Sequence, residues 1–205
     1  DRSVIAFDGA TGNQIWTQQR PGEPLVLKQA GVMLAFKNTL LVGLSGRLSG
    51  LDPNTGVIRW ESAIATPRGT NDVERLVDLV SPFDRVGDVV CVRAFQAAVG
   101  CVNAERGQGV WTRPSVGEMG VSGNDTVLIA PLSNGVVQAW SRSTGERLWE
   151  TERLKYRILS APLVTPRGVL LADNGGWLYL LSLADGALLN RIKLDTEELA
   201  TAPVF

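Results

Sequence analysis

Histidine is missing altogether from this 205-residue chain, and cysteine, methionine and tyrosine occur only twice each. Without histidine there is no usual general base, no usual zinc ligand and no Ser-His or Cys-His nucleophile, so hydrolase chemistry is not expected. The Asp and Glu residues are scattered through turns and short outer segments, where a solvated role is the ordinary one. No block of Lys or Arg stands out and the formal net charge is −1, so an electrostatic footprint for nucleic acid or anionic lipid is absent. No apolar run approaches the roughly 20 residues that span a bilayer. The chain opens on Asp1-Arg2 with no signal-like segment, and we expect any targeting sequence to have been removed upstream of it. Cys91 and Cys101 fit neither a metal motif nor a Cys-x-x-Cys redox pair. They are symmetric about Gln96, which makes them opposed if residues 95–97 turn a hairpin. Directly opposed positions bridge only with strained geometry, so free thiols are expected.

What the chain does have is a repeat. A turn ending in glycine is followed four residues later by tryptophan at Gly12 and Trp16, Gly56 and Trp60, Gly107 and Trp111, and Gly145 and Trp149. The tryptophans lie 44, 51 and 38 residues apart, close to the roughly 40–45 residues of a four-stranded propeller blade. A degenerate fifth copy at Asp185-Gly186 has Asn190 in place of the tryptophan. An apolar strand precedes each turn, and Asp, Asn or Ser at its entry suits a backbone-capping hydrogen bond, with glycine supplying positive φ. Two further strand-like runs lie upstream in each repeat, as in residues 161–164 and 169–172. The unit therefore reads as four strands, with the tryptophan on the outermost and packed against the next blade.

The expected class is an all-β propeller of four-stranded antiparallel blades, present as an arc of four to five. Residues 1–17 read as a half blade, 25–64, 73–114, 116–153 and 158–194 as blades, and 200–205 as the first strand of another. Open blade faces are expected to seek cover, from another copy or from the rest of a ring. The period is broken by an insertion at residues 66–80, which mixes charges with Val73, Leu76, Leu79 and Val80. It suits either a turn packed on its own blade or a partner-binding loop. Residues 23–28 alternate so that Leu25 and Leu27 share a face, as in an inner strand.

The Ala-Pro-aliphatic strand, the Gly-aliphatic strand and the Thr-Gly-x-x-x-Trp ending resemble the pyrroloquinoline-quinone type of propeller repeat. Residues 72–78 (Asp-Val-Glu-Arg-Leu-Val-Asp), Val110-Trp111 and the stretch from Leu148 to Leu163 make the whole chain similar to the BamB family of outer-membrane assembly lipoproteins. The resemblance implies an eight-bladed ring, tethered by an N-terminal lipid to the periplasmic face of the outer membrane. It implies a non-enzymatic scaffold without cofactor that binds the POTRA domains of BamA, with unfolded outer-membrane proteins as further partners. In the family a Leu-x-Leu-Arg stretch and an acidic pair in the next inter-blade loop make the contact. Here these correspond to Leu25, Leu27 and Lys28, with lysine for arginine, and to Asp78, with Val80 at the second acidic position. Arg75 and Leu76 of the same loop complete the candidate partner-binding set. A quinoprotein dehydrogenase is the competing enzyme reading. It calls for an adjacent cysteine pair, whereas Cys91 and Cys101 are ten residues apart. A ligand-sensing propeller domain is a third, since fold alone does not assign function.

Overall fold

The computed structural model describes residues 3–19 and 25–195. Among these residues the chain forms a two-stranded ribbon and four four-stranded antiparallel sheets. The ribbon pairs β1 (Ser3–Phe7) with β2 (Gln14–Gln19). Blade 1 runs through β3 (Met33–Phe36), β4 (Thr39–Leu44), β5 (Arg47–Leu51) and β6 (Ile58–Ala63). Blade 2 contains β7 (Leu79–Val86), β8 (Val89–Ala94), β9 (Ala98–Asn103) and β10 (Gln108–Pro114). Blade 3 contains β11 (Ser122–Gly123), β12 (Val127–Pro131), β13 (Val137–Ser141) and β14 (Arg147–Thr151). Blade 4 contains β15 (Leu163–Thr165), β16 (Gly168–Ala172), β17 (Trp177–Leu181) and β18 (Leu188–Lys193). Each sheet is a meander in chain order, and β11 lies against both β7 and β15, so the first strands gather on the inner side. The strand expected at 200–205 falls outside the described residues.

Burial explains the sequence patterns. The second strands are covered on both faces by neighbouring blades, so β8 and β12 are almost continuously apolar and buried. Outer strands are covered on one side only, and in β10 Trp111 alone is buried. The last two strands of every sheet slip register just after the turn, leaving Ile15, Arg59, Val110, Leu148 and Leu189 as the extra residues. A bulge of this kind bends a strand and re-aims the next side chain. Here that side chain is the tryptophan, or Asn190 in blade 4.

Each of the four tryptophans of the repeated motif meets the glycine of the following turn. A Cβ built on Gly56 would lie 2.5 Å from the Trp16 ring, one on Gly107 2.4 Å from Trp60, one on Gly145 2.5 Å from Trp111 and one on Gly186 2.7 Å from Trp149. These glycines also have φ between 68° and 72°, so both conformation and space demand them. The indole N–H groups of Trp16, Trp111 and Trp149 donate to the carbonyls of Pro53, Arg142 and Leu183 at 2.7–2.9 Å. The repeated motif is thus a lock between successive blades, with turn and ring belonging to different repeats.

Blades 2 and 3 are further tied by two buried arginines. Arg142 is ion-paired with Asp84 and donates to the Val89 carbonyl, while Asp84 also accepts the Gly123 N–H at 2.8 Å. Arg93 is fully buried and donates to the Ser115 and Pro131 carbonyls. Burial pulls its pKa down to about 10, leaving it charged at neutral pH.

The free thiols expected from the sequence are not found: Cys91 and Cys101 form a disulfide. The hairpin does turn at Gln96 and places the two residues directly opposite on β8 and β9. Their Cα atoms are 4.0 Å apart, with both side chains on one face of the sheet. Close approach at a directly paired antiparallel position brings the two sulfurs into bonding reach, which the argument from strain had discounted.

Candidate functional site

Strands alternate direction within a blade, so the connections between blades emerge on the same face as the hairpins joining second to third strands. Two of the sequence candidates meet on that face. Leu27 N–H donates to Asp78 Oδ2 at 3.3 Å, across 51 residues of sequence. Residues 25–28 do not belong to the inner strand, which begins at Met33. Leu25 and Val26 are consequently exposed at 39% and 38%, Leu27 is half-buried and Lys28 is exposed. A cavity of about 280 Å³ opens beneath them, lined by Val26, Leu27, Leu44, Asp78 and Val80 among others.

The insertion ends at Asp78, and Leu79 and Val80 are already part of β7. Its middle is a single turn held by side chains at both ends. Asn71 Oδ1 accepts the Glu74 N–H at 2.9 Å, and the Glu74 carboxylate accepts the Thr70 N–H at 2.8 Å. That backbone bond from Thr70 is the main reason the Glu74 carboxyl is held below its ordinary pKa. The turn points its residues in two directions. Leu76 and Val77 are buried, whereas Val73 is 70% exposed and Arg75 is exposed. Leu76 therefore supports the loop from beneath and is not available at the surface. A depression of about 850 Å³ lies beside the turn, with Ile64, Leu76, Phe95 and Ala98 on its walls and Arg68, Val73 and Glu74 around it. The Asp78 carbonyl accepts the Phe95 N–H at 2.9 Å, fixing the loop to the neighbouring hairpin.

Leu25, Val26 and Lys28 are thus exposed beside the connection made by Leu27 and Asp78, and Val73 and Arg75 are exposed on the loop that leads to Asp78. The family resemblance and the make-up of the insertion pointed to Leu25, Leu27, Lys28, Arg75 and Asp78 but not to Val26, whose exposure follows from the loss of strand alternation. At the position of the second acidic residue, Val80 is 1% exposed and paired with Arg93 on β8. A carboxylate there would lie within the sheet.

The same face carries a second polar centre in blade 4 that the sequence did not single out. Asp173 accepts from the Trp177 and Gly175 N–H groups, from the Tyr179 hydroxyl at 2.8 Å and from Arg157 at 2.5 Å. Burial pushes its pKa upward, but these donors outweigh burial and hold the carboxyl below its ordinary value. Burial, then the bond to Asp173, pushes Tyr179 up to about 12. This centre fastens the loop entering blade 4 to that blade's own hairpin. It offers no unpaired group for chemistry.

Meandering four-stranded sheets, gathered by their first strands and locked ring-to-turn, define an arc of a β-propeller. The family model described as outer membrane protein assembly factor BamB matches residues 1–151, and the chain belongs to that family. It is 35% identical over its whole length to the outer membrane protein assembly factor BamB of Burkholderia pseudomallei, of which it covers 54%. The crystal structure of BamB from Moraxella catarrhalis superposes with a TM-score of 0.89 at 22% identity, covering all of this chain and 62% of that one. A quinohemoprotein alcohol dehydrogenase from Comamonas testosteroni shares the fold at a TM-score of 0.63 and 14% identity, over 95% of this chain and 40% of that one. The chain spans about half the length of the curated relatives it matches.

Proposed function

We propose that this chain is a section of a non-enzymatic scaffold for outer-membrane protein assembly, acting at the periplasmic face of the outer membrane. Its task is to hold BamA through the POTRA domains while barrel proteins are folded and inserted. The N-terminal lipid that tethers the whole protein forms part of this reading, as do unfolded outer-membrane proteins as further partners. The observation that carries the proposal is the hydrogen bond from Leu27 to Asp78. It joins the two candidate segments at one place and leaves aliphatic and basic side chains beside them exposed. Exposed aliphatics suit the centre of a partner interface, and charges at its rim set orientation and association rate. With Lys28 where the family has arginine, the cationic contact is a point charge and not a two-pronged one.

The test is titration of the whole protein against the isolated POTRA domains. Replacing Leu25 and Leu27 together by alanine is expected to weaken binding by about 10- to 100-fold, as for interface anchors. Asp78→Arg is expected to weaken it as well, with the blades still folded by circular dichroism. Unchanged affinity in both variants would move the interface elsewhere.

The dehydrogenase reading does not fit these residues. Cys91 and Cys101 are bonded to each other inside blade 2 and form no adjacent pair under a quinone.

A further inference from the structure

The disulfide lies where no thiol can reach it. Both cysteines have zero exposure. They belong to a cluster with Val99 and Trp111 of their own blade and with Val121, Leu128 and Trp140 from blade 3. Trp111 sits directly opposite Cys101 on β10, and its indole N–H is bonded to the Arg142 carbonyl of blade 3. Trp140 is 3% exposed. The cover is therefore assembled from two blades and exists only after they pack, and the Arg142–Asp84 pair and Arg93 hold them together.

Thiol–disulfide exchange requires one sulfur to approach another in line, so a buried bond can be neither made nor broken by an external reagent without opening the protein. We propose that the Cys91–Cys101 bond is made by a disulfide-bearing oxidant before blade 3 closes on blade 2, and that packing then seals it from reductants. The chain is in this sense a substrate of a thiol-oxidising reaction that must precede its own assembly. One cysteine thiolate attacks the oxidant's disulfide and releases one of its sulfurs as a thiolate. The second cysteine thiolate then displaces the oxidant from the mixed disulfide. Two thiols lose two protons and two electrons, and the oxidant's disulfide becomes a dithiol. The bond is thus a permanent staple across one hairpin, without a regulatory role. It also requires that the chain pass through an oxidising compartment while still open. The inference does not depend on which partner the propeller holds.

The experiment uses the whole exported protein and mass tagging of free thiols. Denatured but unreduced protein should carry no tag on Cys91 or Cys101, whereas tagging there would overturn the proposal. Native protein in dithiothreitol should be reduced at least about a hundredfold more slowly than protein in guanidinium. Equal rates would show the bond to be accessible and sink the idea. Trp140→Ala, or Leu128→Ala if the first variant does not fold, should quicken reduction of the native protein at least about tenfold, and an unchanged rate would mean that blade 3 is not the seal. Reduced protein should gain the bond when oxidised glutathione is present from the start of refolding but not when it is added afterwards. Equal yields from a reduced chain that circular dichroism shows to be folded before the oxidant is added would overturn the proposed order.

Discussion

Gly107 shows how much one position can be asked to do. Its φ of 68° is costly for any side chain, and a Cβ would sit 2.4 Å from the Trp60 ring of the preceding blade. Gly107→Ala is therefore expected to lower stability by about 2–4 kcal/mol, from backbone strain and overpacking together, read as a lower urea midpoint. At the turn entries, Asp8 and Asp52 each accept two backbone N–H groups, and Asn103 does the same without a charge. The Thr11 hydroxyl and then these backbone bonds hold the Asp8 carboxyl below its ordinary value, Arg59 and then the backbone do so for Asp52, and the Asp173 carboxyl is held down as described above. Their folded pKa values lie under the unfolded value near 3.9. What each contributes is complete above that unfolded value and is lost as pH falls through the lower folded one. The urea midpoint should accordingly be flat from pH 7 to about 5 and fall below about pH 4. Asp173→Asn should make that fall shallower, and an acid limb identical to that of the unmodified protein would show that Asp173 does not contribute.

At the scale of the element, the two candidate segments, residues 25–28 and the insertion between blades 1 and 2, divide their residues between packing and display. Leu76 is buried and Leu25 is exposed, although both were candidates for the partner surface. Leu76→Ala should cost about 2–5 kcal/mol of stability. Leu25→Ala should change stability by less than about 0.5 kcal/mol, as at an ordinary surface site, and act on partner affinity alone. Chemical denaturation beside the POTRA titration separates the two. Equal loss of stability in both variants would place Leu25 in the core. The bulge before each tryptophan is the other element with a clear task. It leaves Val110 and Leu148 exposed on the outer strands, and their apolar character has no packing explanation in the structure.

For the molecule as a whole, neighbouring blades cover each other, so the lateral faces at the two ends of the arc differ from the rest. On β18, Leu188, Leu189 and Ile192 are exposed at 40%, 56% and 49%, and at the other end Ile5 and Phe7 are exposed. Asn190 supplies no ring to lock a further turn. Apolar faces of this kind seek cover. The 205-residue chain on its own is expected to self-associate at micromolar concentration in sedimentation, and a stable monomer would count against this.

Much of the fold was legible in the sequence because its signals are local. A turn needing positive φ, an apolar run of strand length and a tryptophan at fixed distance recur in one repeat, and the repeat alone indicates blades. Family membership rested on segments such as residues 72–78 in the same way. The tertiary structure decided what depends on distant residues meeting. Trp60 and Gly107 belong to different repeats, Leu27 finds Asp78 across 51 positions, and the Asp84–Arg142 pair closes only when two sheets pack. The disulfide was missed for a related reason. Spacing made Cys91 and Cys101 opposed, but only the paired strands, with Cα atoms 4.0 Å apart under the cover of blade 3, make that opposition a buried bond.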